Sequence, residues 1–131
     1  MNMILQAIFN HGHKQNLDTA IIIDGVHYTY RNLYNAVIER VQGIENDNCI
    51  TSIINGKRHI IFIDTESVYK QLILWLAALY NGYIPIVSHP HMDSNYRSQL
   101  MSLLGSIEIP LEAQFGVLTS GTTGMPKPLW R

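Results

Sequence analysis

IIFIDTESVYKQLILWLAALYNGYIPIV, residues 60–87, is an apolar strand, a helix and a second apolar strand written one after another. Ile60 to Ile63 form an unbroken apolar run, the pattern of a strand covered on both faces of a sheet. Thr65 to Asn81 carries helical periodicity, with Val68, Leu72, Trp75, Leu76 and Leu79 on one face and Ile73, Leu74, Ala77 and Ala78 around much of the rest. A helix that apolar requires cover on more than one side. Gly82 supplies the stop, and Ile84 to Val87 return as a second buried strand. Strand, helix and strand within so short a stretch predict a right-handed parallel crossover, and hence an α/β fold.

Upstream, Ile4, Leu5, Ile8 and Phe9 predict a short leading helix that Gly12 would stop. Ala20–Ile23 and Val26–Tyr28 are β-prone runs joined by Asp24-Gly25, a pair suited to the positive backbone angles of a tight hairpin turn. Thr29 can cap a helix whose stripe is Leu33, Tyr34, Val37, Val41 and Ile44, reaching to about Gly43. Asn46 to Asn48 read as loop. Asn55-Gly56 leaves a second hairpin open, between Ile50–Ile54 and the strand at Ile60–Ile63. Downstream, Asp93 or Ser94 can cap a helix through about Leu104, with Leu100, Leu103 and Leu104 as its apolar side. Pro110 marks a break, and Phe115–Leu118 form a last short strand.

Composition sets outer bounds. The 131 residues are 47% hydrophobic and 15% charged, enough for one buried core and too apolar for a disordered segment. A net charge of −1 without long runs of either sign gives no footprint for nucleic acid. The longest apolar run, Leu72–Tyr80, falls well short of the roughly 18–20 residues a membrane span needs. Cys49 is the single cysteine, so no internal disulfide framework exists. Without a basic, apolar leader, these features predict a cytoplasmic protein. The close pairs His11/His13 and His89/His91 lack the helical spacing and the neighbouring cysteines of a recognisable zinc pattern.

The chemistry concentrates in residues 119–127, TSGTTGMPK. Glycines permit close backbone approach, exposed amides and hydroxyls donate to phosphate oxygens, and a lysine adds compact positive charge. A nucleoside-triphosphatase P-loop requires four residues between its glycines and then Gly-Lys-Ser/Thr. Here Gly121 and Gly124 are too close, Met125-Pro126 intervene before Lys127, and Pro128 stands where the magnesium-binding hydroxyl belongs. A different phosphate loop is needed.

LTSGTTGMPK, residues 118–127, resembles the phosphate-loop signature of the adenylate-forming (AMP-binding) superfamily, which includes acyl-CoA synthetases and peptide-synthetase adenylation domains. YTYRNL at Tyr28–Leu33 and LAALYNGYIPI at Leu76–Ile86 resemble its first two core motifs, in the expected order. The resemblance implies a partial N-terminal subdomain of that fold, spanning residues 1–131, and an ATP-dependent reaction. A carboxylate attacks the α-phosphorus of ATP, giving an acyl-adenylate and pyrophosphate, usually before transfer to a thiol of coenzyme A or a carrier protein. It assigns Thr119, Ser120, Thr122 and Thr123 as donors to the ATP phosphates, Gly121 and Gly124 as close-approach points and Lys127 as charge partner. The two upstream motifs are then scaffold.

Members of that superfamily are several times longer than 131 residues. Their acyl pocket, nucleoside contacts, magnesium-binding glutamate and catalytic lysine lie beyond the loop, so magnesium would be held by residues outside this chain. The Ser106–Gln114 stretch is shorter than the usual lead into the loop, and Pro128 replaces a glycine that often follows the lysine. The expectation is therefore an amino-terminal fragment of an acid–thiol ligase, inactive alone and self-associating through the faces its missing neighbours leave bare. The alternative is a non-catalytic interaction or regulatory module derived from the same fold.

Overall fold

The computed structural model of the chain describes residues 3–13, 17–88, 92–119 and 126–131. Along the chain run α1 (Met3–His13), β1 (Thr19–Ile23), β2 (Val26–Thr29), α2 (Tyr30–Val41), β3 (Ile50–Asn55), β4 (Arg58–Ile63), α3 (Val68–Tyr80), β5 (Ile84–Val87), α4 (Ser94–Leu104), β6 (Gly116–Thr119) and β7 (Lys127–Trp130). The strands form a separate β1–β2 hairpin and a five-stranded sheet in the order β3-β4-β5-β6-β7. At the sheet's centre β4, β5 and β6 are parallel, and antiparallel β3 and β7 close its two edges.

The expected α/β fold, with a strand-helix-strand unit and a leading hairpin, is present. In the hairpin turn Asp24 and Gly25 have φ of 49° and 78°, both positive as an Asp-Gly two-residue turn demands. Thr29 caps α2 in a reciprocal box: its hydroxyl accepts from Asn32 N at 3.0 Å, and Asn32 Oδ1 accepts from Thr29 N at 2.9 Å. The open alternative at Asn55-Gly56 is realised together with the parallel unit. β4 pairs antiparallel with β3 on one side and parallel with β5 on the other.

Several expectations need correction. α1 ends at His13, one residue after Gly12, where a Cβ on the glycine would stand 2.4 Å from Tyr34 Cβ and 2.8 Å from the Tyr30 carbonyl oxygen. The glycine permits α1 to lie against α2. α3 begins at Val68, since Ser67 Oγ accepts from Lys70 N at 3.1 Å and thereby caps it. Its buried residues are Ile73, Leu74, Leu76, Ala77 and Ala78, whereas Val68 is 54% exposed. The most deeply covered residues are therefore those expected as secondary, together with Leu76 of the expected primary face, sandwiched between Leu5, Ile8, Leu33 and Val37 of α1 and α2 and Ile61 and Ile63 of β4. The other side of β4 presents Ile60 and Phe62, which join Ile84, Ile86, Leu100 and Leu104 under α4. β4 is thus buried on both faces, as its continuous apolar run required.

β7 was not expected. Pro128 argues against a strand, yet it sits opposite Leu118 in the outermost strand, where the missing amide costs no ladder bond if it faces solvent. The Ser106–Gln114 stretch is fastened by side chains in place of a strand. Asn55 Nδ2 donates to the carbonyls of Leu104 and Ile107 at 2.8 and 2.7 Å, and Arg58 donates to those of Pro110 at 3.0 Å and Ala113 at 2.6 Å. These bonds deliver the chain to the start of β6.

Candidate functional site

Parallel strands point their carboxyl ends one way, and in open α/β sheets ligands gather there. Asp64 directly follows β4, Ser88 directly follows β5 and β6 ends at Thr119, so the segment leaving β6 starts at that edge. It returns as β7, and the two strands pair Thr119 with Lys127. The Thr119 hydroxyl donates to the Lys127 carbonyl at 2.9 Å and fastens the neck. The described ends of the 119–127 segment are therefore tied to each other.

Both neck residues are exposed, and the two ion pairs among the described residues, Lys70–Asp47 and Arg97–Asp64, leave the Lys127 ammonium uncommitted. Ser120, Gly121, Thr122, Thr123 and Gly124 lie outside the described residues, as do His89 and His91. Pro126, next to the neck, is buried. Thr119 spends its hydroxyl hydrogen on the neck, so contact with a phosphate oxygen would require it to release that carbonyl.

β6 is held by close packing. A Cβ at Gly116 would lie 2.9 Å from the Trp130 ring and 3.1 Å from the Ile86 side chain. On the α3 side of the sheet a groove of about 490 Å³ runs beside β6, lined by Trp75, Val87, Ser88, Phe115 and Val117. Trp75 and Phe115 meet edge to face with centroids 5.3 Å apart. The same edge of the sheet carries a polar clamp that sequence reading missed. Arg97 of α4 pairs with Asp64 and donates to Thr51 Oγ1 at 2.6 Å, with its guanidinium 5.6 Å from the Phe62 ring centroid. Nothing in the spacing of Thr51, Asp64 and Arg97 announces that meeting; the strand ends alone place Asp64 at the edge.

In chemical terms the described residues offer an anion the exposed ammonium of Lys127 beside the carboxyl end of β6, which fits a phosphate by charge. They offer a divalent cation much less: no group of three or more His, Cys, Asp or Glu side chains converges among them. No helix among them is long and apolar enough to cross a membrane.

Comparison with known proteins gives a likeness of fold. Neither a protein-family description nor a curated protein sequence matches the chain. Among solved structures it is similar to that of McyG A-PCP, an adenylation domain with its carrier protein, complexed with phenylalanyl-adenylate. The TM-score is 0.58 at 19% identity, over 97% of this chain. The chain spans 32% of the length of that protein. The likeness is one of fold: the mixed α/β architecture of the chain is similar to part of that structure.

Proposed function

We propose that the chain is the phosphate-gripping part of an ATP-dependent, carboxylate-activating ligase, and that it does not complete the reaction by itself. The observation that carries this reading is the placement of the 119–127 segment. Its hydroxyl- and glycine-rich sequence follows the carboxyl end of a parallel strand, and its described ends, Thr119 and Lys127, are joined with the lysine ammonium left free. ATP supplies the phosphoanhydride that activates the carboxylate. The chain's own residues bind and orient it. Thr122, Thr123 and Ser120 donate from the loop, Gly121 and Gly124 let the backbone approach, and Lys127 offsets charge from the neck.

The acid, the coenzyme A or carrier-protein thiol and the magnesium site belong to protein beyond these residues in this reading. The likeness to an adenylation domain joined to a carrier protein supports a thiol acceptor of that class. The apolar groove beside β6 supports self-association of the isolated chain.

Calorimetry with ATP and pyrophosphate exchange with a panel of carboxylic acids test the proposal together. ATP binds the chain, a variant with Thr122, Thr123 and Lys127 all changed to alanine loses at least about tenfold in affinity, and neither supports exchange. Equal binding by the triple variant removes the phosphate-loop reading. Clear turnover by the 131 residues removes the claim that the chain is incomplete.

A further inference from the structure

A second concave site lies away from the loop, where the β1–β2 hairpin meets α2 and the start of α3. It is a cleft of about 380 Å³ lined by His27 and Tyr28 of β2, Asn32, Asn35 and Glu39 of α2, and Tyr69 of α3. The α2 residues fall on one helical stripe, so their polar tips project along one wall. Tyr28 and Tyr69 stack with centroids 4.5 Å apart and planes 16° apart, giving the cleft an aromatic floor.

Glu39 is the one carboxylate among the described residues that line the cleft, and no lysine or arginine is among them. Among the described residues neither ion pair uses Glu39: Lys70 is held by Asp47 at 3.5 Å, and Arg97 by Asp64. Asn32 Oδ1 is spent on the Thr29 amide, which leaves the Glu39 carboxylate, the Asn35 amide oxygen and the tyrosine hydroxyls as acceptors. Burial first, then Tyr28 and Glu39, push the Tyr69 hydroxyl above its ordinary pKa of 10.0, and Arg40, the weakest influence, pulls the other way. A planar, cationic ligand rich in donors complements the carboxylate, the open acceptors and the aromatic floor. The guanidinium meets all of those conditions, lying flat on an aromatic face while its edge reaches a carboxylate.

We propose that this cleft receives an arginine side chain presented by a partner polypeptide. His27, Asn32, Asn35 and Glu39 are all exposed, so the cleft walls a ligand on one side only. That suits a side chain whose backbone stays outside, whereas a free metabolite is normally enclosed over most of its surface. The site is independent of the nucleotide loop and of the reading built on it.

Nitrogen-15 amide shifts of the full chain test the proposal, with three probes: the capped tripeptide acetyl-Gly-Arg-Gly-amide, the same peptide with neutral, isosteric citrulline, and free arginine. The arginine peptide shifts the amides of Asn35, Glu39 and Tyr69 in a saturable way. Citrulline weakens binding at least about tenfold, and Glu39→Gln does the same to the arginine peptide. Glu39 is exposed, so the variant keeps the fold, and an otherwise unchanged spectrum checks that. No shift at the cleft, equal binding by citrulline, equal binding by the variant, or tighter binding of free arginine than of the peptide each overturns the proposal.

Discussion

At the residue scale, two side-chain environments make sharp demands. Gly12 packs so closely against Tyr34 and Tyr30 that a single methyl group overlaps both. Arg31 of α2 also donates to the Gly12 carbonyl at 3.1 Å, so α1 cannot slide away without losing that bond. Gly12→Ala is expected to lower stability by about 1–3 kcal/mol, the usual cost of overpacking, despite alanine's better helix propensity. Urea unfolding checks it, and an unchanged or raised midpoint would show that the two helices can part freely. Tyr69 supplies a pH effect. Its folded pKa is raised, so its contribution to stability is fully present below pH 10.0 and is lost as pH climbs through the higher folded value. Ultraviolet titration should show one tyrosine ionising late. Because Glu39 contributes to the shift, Glu39→Gln should move that transition downward without abolishing it, burial being the larger cause.

At the element scale, the route into β6 depends on side chains that no periodicity reveals. Arg58 donates to carbonyls across the connection between α4 and β6, and its Nη2 bond to Ala113 at 2.6 Å is the shortest of these. Arg58→Met keeps the aliphatic stem and removes every donor. The expected loss is about 2 kcal/mol, on the scale of a charged hydrogen bond left unmade, with faster amide exchange at Ala113 and along β6. Exchange that quickens only at the β3–β4 turn would place the arginine's role elsewhere. The same contrast explains what the sequence discloses. The Asp24-Gly25 turn, the Thr29 cap and the doubly buried β4 are local or periodic signals, and each was legible. The deeply buried face of α3 was not, because the helix is apolar nearly all round and only the positions of α1, α2 and the sheet choose between its sides. Pro128 concealed β7 because a proline is compatible with a strand only at a sheet edge, and edge position is a property of topology. In the candidate site, Ser120 to Gly124 lie outside the described residues, while the meeting of Thr51, Asp64 and Arg97 was not legible because it depends on strands and a helix distant in sequence.

At the scale of the whole molecule, the α3 side of the sheet is only partly covered. Trp75, Val87 and Phe115 line the groove, and beyond them Val117 is 49% and Leu129 43% exposed, paired side by side on β6 and β7. On the far edge, Ile54 of β3 is 62% exposed. Full burial of a large apolar side chain is worth about 1.5–3 kcal/mol, so covering half-exposed ones yields a few kcal/mol in total. Association at about 10 μM requires about 7 kcal/mol net, so the patch alone falls short. Backbone pairing along a sheet edge would have to supply the remainder, and β3 is the better edge because Pro128 removes a donor from β7. The expected behaviour is therefore weak, concentration-dependent self-association that needs both features. Sedimentation velocity should show the average mass rising across tens of micromolar protein. Lysines at Val117 and Leu129 together, or a lysine at Ile54, should each return the chain to monomer, since either removes a necessary part. A sharp monomer throughout that range would show that the bare groove and open edge are tolerated in water. Association that survives both sets of lysines would place the contact on another surface.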